Sequence, residues 1–143
     1  MQNPVLIIVI AQLFGTSLWF SANSAADDLI RAWGITPADI GTLTNAVQLG
    51  FILGTLTFAI SGLADRYAAS RIFAVCAVLG AVCNAAFALL ADGMASAVPL
   101  RFAVGFCLAG VYPLGMKLIV SWGPERAGSA LAQLVGMLTL GTA

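Results

Sequence analysis

The chain has 143 residues, of which 61% are hydrophobic and 8% are charged, and its mean hydropathy is +1.01. Soluble domains carry about 25% charged residues, so this composition indicates a membrane protein. Six basic and six acidic residues give a formal net charge of zero, and no excess charge points to nucleic acid or to anionic lipid as a partner.

Five apolar segments follow one another along the chain, and each approaches the length of about 20 residues that crosses a bilayer. They lie near residues 4–24, 38–62, 72–91, 96–121 and 127–143. Short connections with turn or cap residues separate them. The sequence therefore predicts an all-α polytopic membrane protein with five transmembrane helices. The fifth segment reaches residue 143 without a cap or a charged anchor, so we expect a longer protein of which this chain is a fragment.

The first segment carries polar side chains on one helical face. Gln12, Thr16 and Asn23 recur at spacings of four and seven residues, and Trp19 lies between them. Its leader has no positive charge and further apolar segments follow, so we expect a retained span rather than a cleaved signal peptide.

The connection that follows predicts a short surface helix, and Pro37 is typical of the start of the next helix. The second segment then places the amides of Asn45 and Gln48 above Gly50 and Gly54, which form a GxxxG pattern. The polar stripes of the first two segments either form interhelical hydrogen bonds or line a solvated cavity. The residues alone leave both interpretations open.

The fourth segment places Arg101, Gly105 and Tyr112 on one helical face. Arg101 either extends to the nearby membrane surface or is a buried cation that faces the interior of the bundle. Pro113 removes a backbone hydrogen bond in the middle of the segment, which predicts a bend there. Lys117 lies near the end of the segment, where we expect it to extend to the surface.

Catalytic and metal chemistry has little support in this composition. The chain has no histidine and no acidic cluster at ligand spacing, so it offers neither a metal site nor a His-based triad. Cys76, Cys83 and Cys107 lie in apolar runs, where a free thiol packs as a small hydrophobic side chain. We expect no enzyme activity, no catalytic residue and no cofactor.

The distribution of basic residues predicts the orientation in the membrane. Arg66 and Arg71 lie between the second and third segments and Arg126 between the fourth and fifth, whereas Arg31 lies on the other side. We therefore predict that the N-terminus and these two loops are cytoplasmic.

The loop between the second and third segments also contains charges that are locally unfavourable. Asp65 lies at the C-terminal, negative end of one helix, and Arg71 lies at the N-terminal, positive end of the next. Each placement costs about 0.3–1 kcal/mol. We therefore expect partners for these charges elsewhere in the protein.

This loop, SGLADRYAASR, resembles the sequence G-x-L-A-D-R-x-G-R-R that is the signature of the major facilitator superfamily of secondary transporters. The match is carried by the core from Leu63 to Arg66, whereas Ala68 to Ser70 depart from the pattern and only Arg71 keeps a charge after it. Arg101 followed by Gly105 is similar to the fourth-helix motif of the same superfamily. The resemblance implies that residues 1–143 are part of an N-terminal transmembrane domain and contain the first five of twelve helices.

The resemblance also implies a transporter of a small solute that works by alternating access in the cytoplasmic (inner) membrane. Proton coupling is implied by the family alone. The expected partners are the solute, the lipid bilayer and the C-terminal half of the same transporter. An alternative is a small membrane assembly or binding protein that does not transport.

The candidate residues fall into three groups. The cytoplasmic gate is assigned to Asp65, Arg66 and Arg71, because in the family such a loop closes the inner side against a helix of the second half. Residues assigned to the substrate or to coupling are Trp19, Asn23, Asn45, Gln48, Arg101 and Tyr112. Helix packing or bending is assigned to Gly50, Gly54, Gly105 and Pro113.

Overall fold

A computed structural model of the chain describes residues 4–122, 128–129, 131–132 and 135–136. Much of the predicted fifth segment lies outside these residues. Residues 4–122 form helices and contain no strand. The helices are α1 (Pro4–Ser24), α2 (Ala26–Trp33), α3 (Pro37–Ser61), α4 (Leu63–Arg66), α5 (Ala69–Leu90), α6 (Met94–Leu108) and α7 (Tyr112–Trp122).

Four helical stretches of the described chain are long and apolar enough to cross a bilayer. They are Leu6–Ser24, Pro37–Ser61, Ala69–Leu90 and Met94–Ser121, and the last of these contains both α6 and α7. Many large apolar side chains on these helices are exposed, among them Ile52, Val78 and Leu89. Such surfaces suit contact with lipid. The prediction of an all-α polytopic membrane protein is confirmed.

The connection between α1 and α3 is ordered as the sequence predicts. The surface helix α2 ends at Trp33 and is capped by Gly34, whose φ of 63° is the left-handed conformation that glycine adopts readily. Pro37 then occupies the first turn of α3. The Thr36 backbone N–H donates a hydrogen bond to Asp39 Oδ2 at 2.8 Å, which satisfies a donor at the start of the helix.

The most extensive contact between helices in the described chain joins α3 and α6. The backbones approach closely because glycine occupies both sides of the contact. Gly50 lies against the carbonyl of Phe102. In the reverse direction, Gly105 of α6 lies against the carbonyl of Val47. A side chain at either glycine would overlap the backbone of the facing helix.

The last membrane-spanning stretch is interrupted at residues 109–111, between α6 and α7. Gly110 N–H donates to the Cys107 carbonyl at 2.9 Å and Val111 N–H donates to the Leu108 carbonyl at 3.0 Å, so this turn is tighter than an α-helix. Pro113 has no N–H with which to bond the carbonyl four residues before it. The sequence predicted a bend at Pro113, and the interruption lies just before that residue.

Candidate functional site

Arg101 of α6 is completely buried, with 0% of its surface exposed. Its side chain therefore does not extend to the membrane surface. Of the two interpretations of the sequence, a surface anchor and a buried cation, the structure agrees with the buried cation. Burying a charge is costly unless hydrogen bonds compensate for the lost water. The stability of this buried charge therefore depends on the hydrogen bonds that the guanidinium makes.

The Arg101 guanidinium donates four hydrogen bonds, three to one turn of α1 and one to α5. Its Nη1 donates to the Leu18 carbonyl at 3.0 Å, to Ser21 Oγ at 2.9 Å and to Asn84 Oδ1 at 3.2 Å. Its Nη2 donates to the Trp19 carbonyl at 2.7 Å. No carboxylate of the described residues pairs with Arg101. The positive charge is therefore stabilised by neutral dipoles, and the same bonds fix α1 relative to α6.

An aromatic stack supports the guanidinium from a second direction. Arg101 Cζ lies 5.4 Å from the centre of the Phe87 ring, within the range of a cation–π interaction. Phe87 in turn contacts Trp33 edge to face, with ring centres 6.3 Å apart. Helices α2, α5 and α6 therefore meet around this one side chain.

A cavity of about 180 Å³ lies beside the segment of α1 that Arg101 binds. Trp19 and Phe51 form one wall, with ring centres 5.0 Å apart at an angle of 63°. The lining side chains are largely aromatic, and they come from α1, α3, α6 and α7: Thr16, Trp19, Phe20, Phe51, Leu108 and Tyr112. Two of the predicted site residues, Trp19 and Tyr112, therefore line the same cavity.

Arg101 and the cavity are connected through Trp19. The guanidinium does not line the cavity in the described residues, but it binds the backbone carbonyl of Trp19, whose side chain does. A short hydrogen bond to a buried cation restricts backbone movement more than a neutral bond does. Arg101 therefore fixes the position from which the indole of Trp19 enters the cavity.

The three predicted amides do not meet at this cavity. Asn23 accepts a hydrogen bond from Thr44 Oγ1 at 2.9 Å, which joins α1 to α3 near their exposed ends. Asn45 and Gln48 are exposed on α3, on the face away from Gly50. Neither has a hydrogen-bond partner among the residues that the structure describes.

Gln12, the first polar residue of the α1 stripe, also lies away from the cavity. It is 1% exposed, and its amide is packed against Gly115 of α7. Neither Oε1 nor Nε2 has a hydrogen-bond partner within the described chain. A buried amide without partners costs roughly 1–3 kcal/mol. This cost opposes the packing of α1 against α7 at Gln12.

At the opposite end of the bundle, α7 is connected to the loop that contains Asp65. Lys117 Nζ donates to the Ala64 carbonyl at 3.0 Å and lies 3.3 Å from Asp65 Oδ1. Lys117 extends to the end of the bundle, as we expected from the sequence. Its ion pair with Asp65 was not predicted. The side chains of Arg66 and Arg71 are exposed and have no ion-pair partner in the described part of the chain.

Sequence reasoning missed Ser21 and Asn84 of the Arg101 cluster. Ser21 Oγ donates to Asn84 Oδ1 at 2.6 Å, so the two residues join α1 to α5 and accept from the guanidinium together. Asn84 was detectable in principle, because it is an amide within an otherwise apolar span. Ser21 has no such signal, since serine is common in membrane helices.

Comparison with known proteins identifies the relatives of the chain. The family profile of the Major Facilitator Superfamily matches residues 6–143. The chain is 30% identical to the niacin transporter NiaP of Acinetobacter baylyi over 98 residues, which are 68% of this chain and 22% of the relative. It is 29% identical to the 4-hydroxybenzoate transporter PcaK of Pseudomonas aeruginosa over 127 residues, which are 88% of this chain and 27% of the relative. No solved structure matches the chain.

Proposed function

Because the chain belongs to the Major Facilitator Superfamily, we propose that it forms the N-terminal part of a secondary transporter that moves a small solute by alternating access. The family match over residues 6–143 carries this proposal. The chain spans 22% and 27% of the two relatives, and both are named as transporters. The remaining helices of the transporter, which complete the solute pathway, are then supplied by further sequence of the same protein. The protein lies in the cytoplasmic membrane with its N-terminus inside.

The proposed solute is a small aromatic carboxylate. The relatives are named for niacin and 4-hydroxybenzoate, which are both carboxylates on a single six-membered aromatic ring. The cavity of about 180 Å³ suits a ring of this size, since a protein cavity of about 150 Å³ holds benzene. Its four aromatic side chains, Phe20 among them, offer edges and faces on which such a ring stacks.

We expect Phe20→Ala to reduce the uptake of an aromatic carboxylate by about fivefold or more, because it removes one stacking contact worth about 1 kcal/mol. The measurement is the initial uptake of radiolabelled 4-hydroxybenzoate, and separately of niacin, by full-length protein in proteoliposomes. Phe14→Ala is the matched control, since Phe14 lies on the same helix but is 70% exposed. Equal uptake by the two variants would contradict a role for the cavity in binding the ring.

We also propose that the loop containing Asp65, Arg66 and Arg71 acts as the cytoplasmic gate. The pairing of Asp65 with Lys117 supports this, because it connects the loop to α7, the helix that follows the interruption at residues 109–111. A change in the position of α7 would then alter the electrostatic environment of the loop. The gate would also contact helices outside this chain.

Replacing Asp65 by asparagine is expected to lower uptake by about fivefold or more. The reason is that the coupling free energy between the cytoplasmic gate and the solute site, about 1–3 kcal/mol, is lost. Insertion and yield should stay near wild type, since the Asp65 side chain is exposed. Asp28→Asn is the control, because Asp28 also forms an exposed ion pair, with Arg31, at the other end of the bundle. Wild-type uptake by the Asp65 variant would remove the gating role.

A further inference from the structure

A second depression, of about 310 Å³, lies at the end of the bundle that contains the charged loop. It is formed where α3 ends, α4 follows and α5 begins. The surface that lines it is entirely apolar, because an arginine and a tyrosine among the lining residues contribute only the carbon atoms of their side chains: Phe58, Leu63, Tyr67, Arg71, Ile72 and Val75. Cys76, which is half-buried, completes it. We refer to this depression as the α3–α5 groove.

The groove lies where the helices cross from the apolar to the polar part of a membrane. Arg71 is in the first turn of α5 and Phe58 is in the last turn of α3. Val75 follows one turn after Arg71, so the groove extends about 6 Å along α5 from its charged mouth at a rise of 1.5 Å per residue. A ligand in the groove would therefore have its charged part near the surface and its apolar part within the bilayer.

The mouth of the groove is locally basic, although the whole chain has a net charge of zero. Asp65, the acidic residue of this loop, is already paired with Lys117. Arg66 and Arg71 have no acidic partner within residues 4–122. The charge of Arg71, whose side-chain carbons line the groove, therefore has no partner among these residues, and Arg66 adds a second exposed positive charge to the same loop.

From this arrangement we propose that the α3–α5 groove binds an anionic phospholipid, with an acyl chain along Phe58 and Val75 and the phosphate group paired with Arg71. A free anion would not use the apolar lining. A zwitterionic phospholipid would bring its own cation to the basic mouth and gain less from Arg71. The apolar groove and its unpaired arginine together complement the two halves of an anionic lipid.

The test is native mass spectrometry of the full-length protein, titrated in detergent with phosphatidylglycerol and, in parallel, with phosphatidylcholine of the same acyl chains. We expect Arg71→Gln to weaken phosphatidylglycerol binding by about fivefold, because one arginine near a membrane surface contributes about that factor. Val75→Trp and the milder Val75→Met should weaken the binding of both lipids by filling the groove. Arg31→Gln, which changes an exposed arginine at the opposite end of the bundle, should leave both affinities unchanged.

Other results would overturn the proposal. If phosphatidylglycerol and phosphatidylcholine bind equally and Arg71→Gln affects neither, the basic mouth does not recognise the lipid. If the Val75 variants lower thermal stability or change the oligomeric state without changing lipid binding, the groove is covered by protein instead. If inorganic phosphate competes fully with phosphatidylglycerol, the site binds a free anion and the apolar lining plays no part. Since lipid binding is measured without solute, these results are independent of transport.

Discussion

Gly50→Ala is expected to lower the stability of the protein by about 3 kcal/mol, the upper end of the range for an overpacked core. The new methyl group would overlap the Phe102 carbonyl oxygen and would lie 2.9 Å from the Phe106 backbone nitrogen. Both neighbours are backbone atoms of α6, which cannot move aside as a side chain can. Helices α3 and α6 would have to separate, and theirs is the most extensive contact in the described chain.

Gly41→Ala is the matched control for this substitution. Gly41 lies on the same helix, and a methyl group there would meet no atom within 4 Å. Its replacement should be neutral or stabilising by up to about 1 kcal/mol, because alanine is the better helix former. The two variants are compared by the fraction of folded protein that remains after heating in detergent. If both retain the wild-type melting temperature, the close approach of α3 and α6 does not limit stability.

The helical architecture could be predicted from the sequence because it follows from local physics. A run of about 20 apolar residues must satisfy its backbone hydrogen bonds within itself in lipid, so it forms a helix. The start of α3 at Pro37 and the capping of α2 by Gly34 have equally local causes. The interruption at residues 109–111 lies two to four residues before the predicted bend at Pro113, since proline removes a partner from the carbonyl that lies four residues earlier.

The candidate site could be predicted only in part, because it depends on which helix faces which. Periodicity placed Arg101 and Tyr112 on one face of their segment, but it could not show that α1 supplies the acceptors for the guanidinium. The same limit applies to Lys117 and Asp65, which are 52 residues apart in sequence and meet at 3.3 Å. For Asn45 and Gln48 the sequence predicted a shared site that the described residues do not form. Their spacing indicates a shared stripe, yet that stripe is exposed in this structure.

Arg101→Lys is expected to destabilise the protein more than Arg101→Met, although lysine keeps the positive charge of arginine. Arg101→Lys keeps the positive charge but cannot span the acceptors on α1 and α5 as a planar guanidinium does. A buried charge with lost hydrogen bonds costs about 1.5–3 kcal/mol for each bond. Arg101→Met removes the charge altogether. Its former acceptors keep other bonds, because Ser21 Oγ still donates to Asn84 and the Leu18 carbonyl lies within a helix.

The melting temperature should therefore fall further for Arg101→Lys than for Arg101→Met, while uptake should fall about tenfold in both, equivalent to about 1.4 kcal/mol. Under the proposed transport function, uptake should fall in both because neither side chain holds the Trp19 carbonyl as the guanidinium does. Arg31→Lys, at an exposed site, should change neither property. A lysine variant with full uptake would contradict this role, since it would show that charge alone suffices and that the position of α1 at Trp19 does not depend on the shape of the arginine.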